Sequence, residues 1–323
     1  MKDLIILGNG MAGMTAALYA SRANLDFKLV GRDEYDFGQI GNAILVENYP
    51  CAAGQSGFEL ADSLHDQLVK EQIEFEEKEV SHVNLLLNYN DEPINKFLIE
   101  YTDGSVETCK SVIYALGARH RELNCKIDKN IPIHYCALCD GALYKDKNVA
   151  IIGGGDVAFT QAEYLSKICK NVRIIMCDRN ITAAPATFER VSKIKNIKIT
   201  YDFIVNEITT NRYFIIDNKE QYKIAIFRKV PDDGKARLLS ISVDGVFVAI
   251  GMIPNTSPLP PSVLDENGYV KTFNENLQTS YPGLFAAGDV RQKGVRQALT
   301  AAADGAIAVN SVINYLKEVN ANV

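Results

Sequence analysis

Short apolar runs that end at a glycine recur along the chain and predict buried parallel strands. The first run, residues 4–7, is followed by Gly8, by small helix-compatible residues up to position 23, and by a second apolar run at 27–30. The same order returns near the middle, where residues 148–152 precede three glycines, a helix-compatible stretch and another apolar run. The pattern therefore predicts two strand–turn–helix–strand units.

Other periodicities fill the rest of the chain. Leu60, Leu64 and Leu68 recur four residues apart, which predicts an amphipathic helix. Alternating residues predict antiparallel strands at 80–87 and 96–101, with Asp103-Gly104 as a tight turn after the second strand. The remaining predictions are strands at 111–115, 246–250 and 284–287, a meander within 197–243, and a closing helix at 295–318.

Two similar units in one chain predict an α/β protein with two Rossmann-like, three-layer nucleotide-binding domains, the second inserted in the first. We expect the first domain to be discontinuous, formed by residues 1–117 and 245–323. The inserted domain would then span residues 118–244. A length of 323 residues suits two domains better than one core.

Composition narrows the class of protein. Hydrophobic residues make up 47% and charged residues 23%, as in soluble globular enzymes. No apolar run approaches the roughly 20 residues of a membrane helix, and the apolar stretch near Met1 is too short for a signal peptide. We therefore expect a cytoplasmic protein without membrane or nucleic-acid partners. Its seven cysteines form no framework, and five are interpreted as reduced and structural: Cys51, Cys109, Cys125, Cys169 and Cys177.

The first glycine loop, Gly8 to Gly13, follows a strand and opens a helix. In a dinucleotide site such glycines allow the turn, the approach of a pyrophosphate and close helix packing, while the helix N-terminus favours the anion. The usual acidic residue on the next strand is missing, because Val30 and Gly31 stand there. A glycine-rich turn without a ligand is the alternative interpretation.

Cys136 and Cys139 are the cysteines with a motif spacing. Two intervening residues let the sulfurs close a small disulfide ring that opens and reforms readily. The same spacing also occurs in half a zinc site, and an inert pair is a further alternative. No second pair exists, and His120 and His134 lack ligand spacing, so we expect no metal.

Two segments late in the chain also carry chemistry. Asp289 follows an apolar strand and a glycine, where its carboxylate can accept a hydrogen bond from a polyol. Arg296-Gln297-Ala298 begins the closing helix, whose N–H groups can face an electron-rich ring. Together with residues 47–50, 136–141, 246–251 and 285–290, these segments stand in the order found in low-molecular-weight thioredoxin reductases, which the chain resembles over nearly its whole length.

The resemblance implies a flavoprotein that reduces thioredoxin. Cys139 would take electrons from FAD, Cys136 would attack the partner disulfide, and Asp140 would exchange protons with the thiolates, although Asp140 also suits a plain turn. A homodimer is expected by the same resemblance. The implied FAD contacts are Gly8, Gly10, Ala12, Gly13, Gln39, Asn48, Val80, Ala115, Gly117, Gly288, Asp289, Arg296, Gln297 and Ala298.

The second glycine loop, residues 153–155, departs from the family pattern. The family binds the NADPH 2′-phosphate with basic residues after the next strand, where this chain has Met176, Cys177 and Asp178. Arg179 is one position out of register, Thr182 replaces a further arginine, and a bulky Phe159 opens the helix. NADH is also poorly supported, since the acid for its ribose belongs near Met176.

Charge is divided unevenly between the two predicted domains. Residues 118–244 hold 21 Lys and Arg against 15 Asp and Glu, a net charge of +6, whereas the rest of the chain carries −12. A basic surface attracts an acidic electron carrier, although an ordinary lysine-rich surface is equally compatible. The sequence resembles the ferredoxin-dependent members of the family, so ferredoxin is the expected donor. The alternatives are an NAD(P)H-dependent thioredoxin reductase, a dithiol oxidase and a flavin redox sensor.

Overall fold

The structure, a computed structural model, describes residues 1–43, 46, 48–52, 54–87, 93–210, 222–228 and 238–321. The chain forms two compact units, one of Met1–Arg119 with Ile253–Val323 and one of His120–Met252. Within the described ranges no helix is both long and apolar enough to cross a membrane.

The described strands alternate with helices in the order expected for an α/β protein. The strands are β1 (Lys2–Leu7), β2 (Phe27–Gly31), β3 (Phe75–Glu77), β4 (Val80–Leu87), β5 (Pro93–Tyr101), β6 (Val106–Tyr114), β7 (Ala118–His120), β8 (Lys126–Ile127), β9 (Ile133–His134), β10 (Asn148–Ile152), β11 (Asn171–Ile175), β12 (Ile197–Thr200), β13 (Phe203–Thr210), β14 (Tyr222–Arg228), β15 (Leu238–Val243), β16 (Gly245–Val248), β17 (Met252–Pro254) and β18 (Leu284–Ala286). The helices are α1 (Met11–Arg22), α2 (Gly57–Lys70), α3 (Ala137–Asp140), α4 (Asp156–Ser166), α5 (Pro185–Ser192) and α6 (Ala298–Ala321).

The first unit is built on a mixed sheet of order β3-β2-β1-β6-β5-β4, with β18 also paired to β6. β1 runs parallel to β2 and β6, so all three end on the same edge. Successive residues of β1 face opposite sides: Leu4 and Ile6 pack with α1 and α6, whereas Ile5 and Leu7 enter a second apolar cluster. A strand buried on both faces explains the continuous apolar run in the sequence.

The second unit repeats this arrangement. Its parallel sheet has the order β12-β11-β10-β16-β9. One face of β10 packs through Ile151 against α4, and the other packs through Ala150 and Ile152 against the sheet β15-β14-β13-β8. The fold class predicted from the sequence is therefore confirmed, with a three-layer unit inserted in a discontinuous one.

Particular elements differ from the sequence-based expectations. β16 belongs to the sheet of the second unit, beside β10, whereas the predicted boundary assigned residues 245–250 to the first domain. An apolar strand that runs towards a glycine fits either sheet, so the pattern alone did not choose between them. β6 is one continuous strand, and β12 joins the parallel sheet rather than the meander. The helix α5 was not predicted.

Candidate functional site

The first glycine loop joins β1 to α1 at the edge where the parallel strands end. Gly8 has a φ of +108°, and a Cβ there would lie 2.5 Å from the Ala115 carbonyl oxygen. Glycine is therefore required at the turn. The loop brings together Gly8 and Ala115, two predicted contacts that lie far apart in sequence.

The N-terminus of α1 has no side-chain cap. Gly10 is the N-cap residue, so the first N–H groups of the helix lack a capping side chain and suit an anion. The nearest atom to a Cβ on Gly10 is 3.5 Å away, unlike the crowded positions of Gly8 and Gly13. Asn9 closes the loop by donating to the carbonyl oxygen of Asp33 over 2.7 Å.

A second set of predicted residues surrounds the N-terminus of α6. Gly288 has a φ of +80°, and a Cβ there would lie 3.0 Å from the Cβ of Ala12 in α1. Asn48 donates to the Gln297 side chain over 3.0 Å, and Ala298 begins the helix. The structure thus brings together predicted contacts from three distant segments of the first unit.

Two polar side-chain atoms of this region are buried and have no hydrogen bond. Oδ1 of Asp289 and Nε of Arg296 have no such partner among the described residues. Burial raises the pKa of Asp289, although Lys293, with Nζ 3.4 Å from Oδ1, opposes that rise. Unsatisfied buried polar groups are costly, which marks this place as one that suits a polar ligand.

Asp304 of α6 supports this region and was not predicted from the sequence. Its carboxylate accepts from the Gly288 backbone N–H over 2.9 Å, and two cations hold it. Arg291 donates to both of its oxygens, at 2.9 and 2.8 Å, and Lys293 Nζ lies 3.1 Å away. An acidic residue inside an apolar helix is the signal that could have identified it.

The structure gives less support to three other predicted FAD contacts of the first unit. Gln39 precedes a short 3₁₀ helix, and Val80 is half-buried at the start of β4. Gly117 has a φ of +64°, and its carbonyl oxygen accepts from the Asn255 N–H over 3.0 Å. No described hydrogen bond links these three residues to the glycine loop. Glu47, part of the sequence motif around Asn48, lies outside the described residues.

In the second unit, Cys136 and Cys139 form a disulfide with a Cα–Cα distance of 5.3 Å. Cys136 is the N-cap of α3, and its sulfur accepts from the Cys139 N–H over 3.1 Å. Both cysteines are half-buried, whereas Asp140 at the end of the same turn is buried. The described residues contain no group of three side chains that could hold a metal ion.

Asp140 is held by His134, a residue to which the sequence gave no role. Nδ1 of His134 lies 3.0 Å from Oδ2 of Asp140, and Nε2 lies 2.6 Å from the Tyr144 hydroxyl. His134 is itself buried, 3% exposed. Its position two residues before Cys136 is the signal in the sequence, but the contact with Tyr144 depends on the fold.

The second glycine loop makes a sharp turn, but the side chains around it are apolar or already paired. Gly153 has a φ of +147°, and the Met176 side chain lies so close to Gly154 that a Cβ there would be 2.6 Å from its methyl carbon. Arg179 donates to Asp202 over 2.8 Å instead of standing free. Phe159 is fully buried against Phe188, so it supports the core rather than blocking the loop.

The remaining cysteines divide into two groups. Cys109 and Cys169 are buried, and burial raises the pKa of the Cys109 thiol to about 12 and that of Cys169 to about 11, which suits packed, unreactive thiols. Cys51 and Cys177 are exposed, whereas Cys125 is half-buried. The expectation that Cys177 packs as a small hydrophobe is therefore wrong, because it lies just beyond the end of β11.

Comparison with known proteins agrees with this geometry. The profile of the pyridine nucleotide-disulphide oxidoreductase family matches residues 2–305. A thioredoxin reductase of Listeria innocua is 33% identical over 98% of this chain and 94% of its own. The chain belongs to the thioredoxin reductase family. Another relative in this range, a 34.2 kDa protein in the rubredoxin operon of Clostridium pasteurianum, is 35% identical over 97% of both chains.

The solved structures give the same family. The thioredoxin reductase of Streptococcus pyogenes superimposes with a TM-score of 0.82 and 32% identity, covering 98% of this chain and 99% of its own. The Listeria and Streptococcus proteins are named simply as thioredoxin reductases, without mention of ferredoxin. The family is thereby established, whereas the ferredoxin-dependent subgroup expected from the sequence is not supported by the comparisons.

Proposed function

We propose that this protein is a flavin-dependent thioredoxin reductase whose redox pair is Cys136 and Cys139. The observation that carries the proposal is their disulfide on a short helical turn, with the buried Asp140 ending that turn. The names of the relatives support thioredoxin as the substrate. A dithiol oxidase and a flavin redox sensor remain alternatives for the same pair.

FAD is the cofactor that the residues of the first unit fit best. The uncapped N-terminus of α1 at Gly10 suits a pyrophosphate. The buried oxygen of Asp289 suits a sugar or ribityl hydroxyl, and the unpaired Nε of Arg296 suits an acceptor atom. When bound, FAD supplies a carrier that accepts electrons singly or in pairs and delivers two of them to a disulfide.

The chain's own residues then have distinct roles. With FAD bound, Cys139 would be the sulfur that takes its electrons, and Cys136 would be the one that attacks the disulfide of the partner. Asp140 holds a proton that the sulfurs exchange during the two steps. Both cysteines are half-buried, so the redox turn is not enclosed in the core.

Replacement of Cys136 with serine tests this assignment. We expect Cys136→Ser to lose thioredoxin-dependent turnover while its flavin absorbance stays at the level of the unchanged protein. Cys51→Ser, at an exposed free cysteine, is the matched control and should keep full turnover. A redox sensor would have no turnover to lose, and a dithiol oxidase would consume oxygen with a thiol substrate faster than it reduces thioredoxin.

For the electron donor, the comparisons favour a nicotinamide nucleotide. The matching family is described as pyridine nucleotide-disulphide oxidoreductases, and Gly153 turns the second glycine loop with a φ of +147°. NADH fits the second glycine loop better than NADPH does, because Asp178 repels a 2′-phosphate and Arg179 is already paired with Asp202.

Ferredoxin is the second candidate donor. The buried Met176 lies beside Gly154, where a polar side chain would be needed to contact a nucleotide. The inserted region is also basic, whereas the rest of the chain is acidic. A small acidic carrier suits such a surface. This candidate requires no nucleotide at the second loop.

Anaerobic titration of the oxidised holoenzyme decides between the donors. NADH, NADPH and reduced ferredoxin are added separately while the flavin absorbance is followed in a stopped-flow instrument. Bleaching by NADH at rates that match turnover supports the nicotinamide nucleotide. Bleaching by ferredoxin alone assigns the second candidate, and slow reaction with all three contradicts both.

Location and assembly complete the proposal. We propose a cytoplasmic homodimer, supported by the reduced, scattered cysteines of the sequence and by the family resemblance. Light scattering coupled to size-exclusion chromatography would give a mass near twice 35.7 kDa for a dimer. A mass of a single chain across the working concentrations would contradict it.

A further inference from the structure

His134 occupies a fixed position beside the dithiol turn. It ends β9, which pairs in parallel with β16, so the backbone on which it stands is part of the sheet. Its ring packs against those of Tyr144 and Phe247, with centroid distances of 5.2 and 5.1 Å, and those two rings also contact each other at 5.6 Å. A buried ring packed in such a cluster, with both nitrogens in polar contacts, has little freedom to turn.

Both ring nitrogens are engaged. Nδ1 faces Oδ2 of Asp140 at 3.0 Å, and Nε2 faces the Tyr144 hydroxyl at 2.6 Å. A neutral imidazole carries one N–H donor and one acceptor nitrogen. Since a carboxylate only accepts, Nδ1–H donates to Asp140, and Nε2 is left to accept from Tyr144. The tautomer is thereby set by the two partners.

Asp140 uses only one of its oxygens in this contact. Oδ1 is buried and has no hydrogen-bond partner among the described residues. The Asp140 backbone N–H donates to the Cys136 carbonyl oxygen over 3.0 Å, which ties the carboxylate to the redox turn. One oxygen is therefore oriented by His134, and the other is left for a transient partner.

The surroundings contain few other ionisable groups. The 3₁₀ helix Gly141–Tyr144 brings Tyr144, whose ring has Lys147 Nζ 5.4 Å from its centroid. On α4, Tyr164 lies beside Gly141, and Gln161 donates to the Tyr135 carbonyl oxygen. β16 contributes the apolar Phe247. Besides Asp140, the residues of the turn with ionisable side chains are Cys136 and Cys139.

We propose that His134 is a positioning residue for the dithiol: it holds the Asp140 carboxylate so that Oδ1 accepts the proton of the attacking thiol. The proposal rests on the function proposed above, because it assigns a supporting role in the same dithiol chemistry. His134 acts through Asp140, with which its Nδ1 is paired.

The thiol–disulfide exchange proceeds in two steps through a mixed disulfide. The Cys136 thiol gives its proton to Asp140, and its thiolate attacks one sulfur of the partner disulfide. A bond between Cys136 and the partner forms as the partner's disulfide breaks, and the leaving sulfur takes the electron pair and the proton from Asp140. Cys139 then attacks Cys136, restoring the intramolecular disulfide, and its proton follows to the second departing sulfur.

The test uses the full-length holoenzyme, reduced with dithiothreitol and desalted, and the aromatic disulfide 5,5′-dithiobis(2-nitrobenzoate) as the oxidant. Neither a donor nor thioredoxin takes part, so a failure of the proposed function does not affect the result. The rate is measured across the acidic to neutral pH range. The Cys136→Ser/Cys139→Ser protein supplies the background from the exposed free cysteines.

Two substitutions separate the role of the donor from that of the ring. His134→Gln places its amide where Nε2 stood and loses the donor to Asp140, whereas His134→Asn keeps an N–H near Nδ1. In His134→Gln we expect the acidic limb of the rate profile to shift to higher pH by about one unit. A shift of this size corresponds to the energy of one hydrogen bond to a charged group. His134→Asn should restore the limb to its original position.

Controls fix the interpretation. His82→Gln, an exposed histidine of the first unit, should leave the profile unchanged. In an Asp140→Asn background, the further change His134→Gln should have no effect on the limb. The proposal is overturned if His134→Gln lowers the rate equally at every pH, or if His134→Asn shifts the limb as far as His134→Gln does.

Discussion

Gly8 and Gly10 stand two positions apart in the first glycine loop, yet their surroundings differ. Gly8 adopts a φ of +108° and has the Ala115 carbonyl oxygen 2.5 Å from the position of a Cβ, whereas Gly10 adopts a φ of −74° and has its nearest neighbour at an ordinary contact distance of 3.5 Å. One glycine therefore serves the protein's own turn. The other leaves room at the helix N-terminus where we propose that a pyrophosphate binds.

We expect substitution by alanine to lower stability at Gly8 and FAD binding at Gly10. Gly8→Ala should lower the free energy of unfolding by about 2 kcal/mol or more, because it combines backbone strain with overlap. Gly10→Ala should leave the stability of the apoprotein within about 0.5 kcal/mol but lower the FAD content after purification. Denaturant unfolding and flavin absorbance measure the two effects, and equal loss of stability in both variants would contradict the distinction.

At this scale the sequence predicted residues whose chemistry is local. The spacing of Cys136 and Cys139 and the order of glycines from Gly8 are properties of a few neighbouring positions. His134 was visible only as a histidine without ligand spacing, because its contact with Tyr144 forms only when the 3₁₀ helix Gly141–Tyr144 packs beside β9. The free or paired state of Arg179 likewise depended on Asp202, a residue of another segment.

Among the elements, α6 is joined to the turn before it by buried charges. Asp304 is 4% exposed and binds the Gly288 N–H, Arg291 and Lys293. Burial raises the pKa of Asp304, but the two cations outweigh that effect, so its pKa lies below the ordinary value. The carboxylate is therefore ionised in the folded protein over the neutral range.

Asp304→Asn should destabilise the protein by about 3 kcal/mol at neutral pH, because Arg291 and Lys293 both lose the buried carboxylate that they share. A folded-state pKa below the unfolded one gives stability that is complete above the unfolded pKa and lost as pH falls through the folded pKa. The difference from the unchanged protein should thus shrink on acidification below about pH 4. Urea unfolding at several pH values measures it, and a constant difference down to acidic pH contradicts the ion-pair explanation.

Periodicity predicted the type of most elements but not always their sheet. The alternation in residues 80–87 reappears as β4, and the spacing of Leu60, Leu64 and Leu68 as α2. β16 was assigned to the wrong domain, since a short apolar strand carries no information about its neighbours. Pairing is decided by tertiary contacts, here those with β10 and β9.

For the whole molecule, the uneven distribution of charge is the feature that bears on the donor. Residues 118–244 carry +6 and the remainder −12. Opposite charges accelerate encounter with a protein partner, and salt screens that acceleration. A nucleotide that binds in a loop depends much less on the field of an entire domain. Salt dependence therefore discriminates between a protein donor and a small one.

If ferredoxin is the donor, its rate of flavin reduction should fall about tenfold between roughly 0.05 and 0.5 M NaCl, whereas reduction by NADH should change little. Lys195→Glu with Lys198→Glu, two exposed lysines of the inserted unit, should slow ferredoxin further at low salt. Lys70→Glu with Lys317→Glu makes the same charge change on the first unit and should have a smaller effect. Because both pairs alter net charge equally, a difference between them reports where the partner approaches. Equal slowing by the two pairs would mean that overall charge, and not a basic inserted unit, governs the encounter.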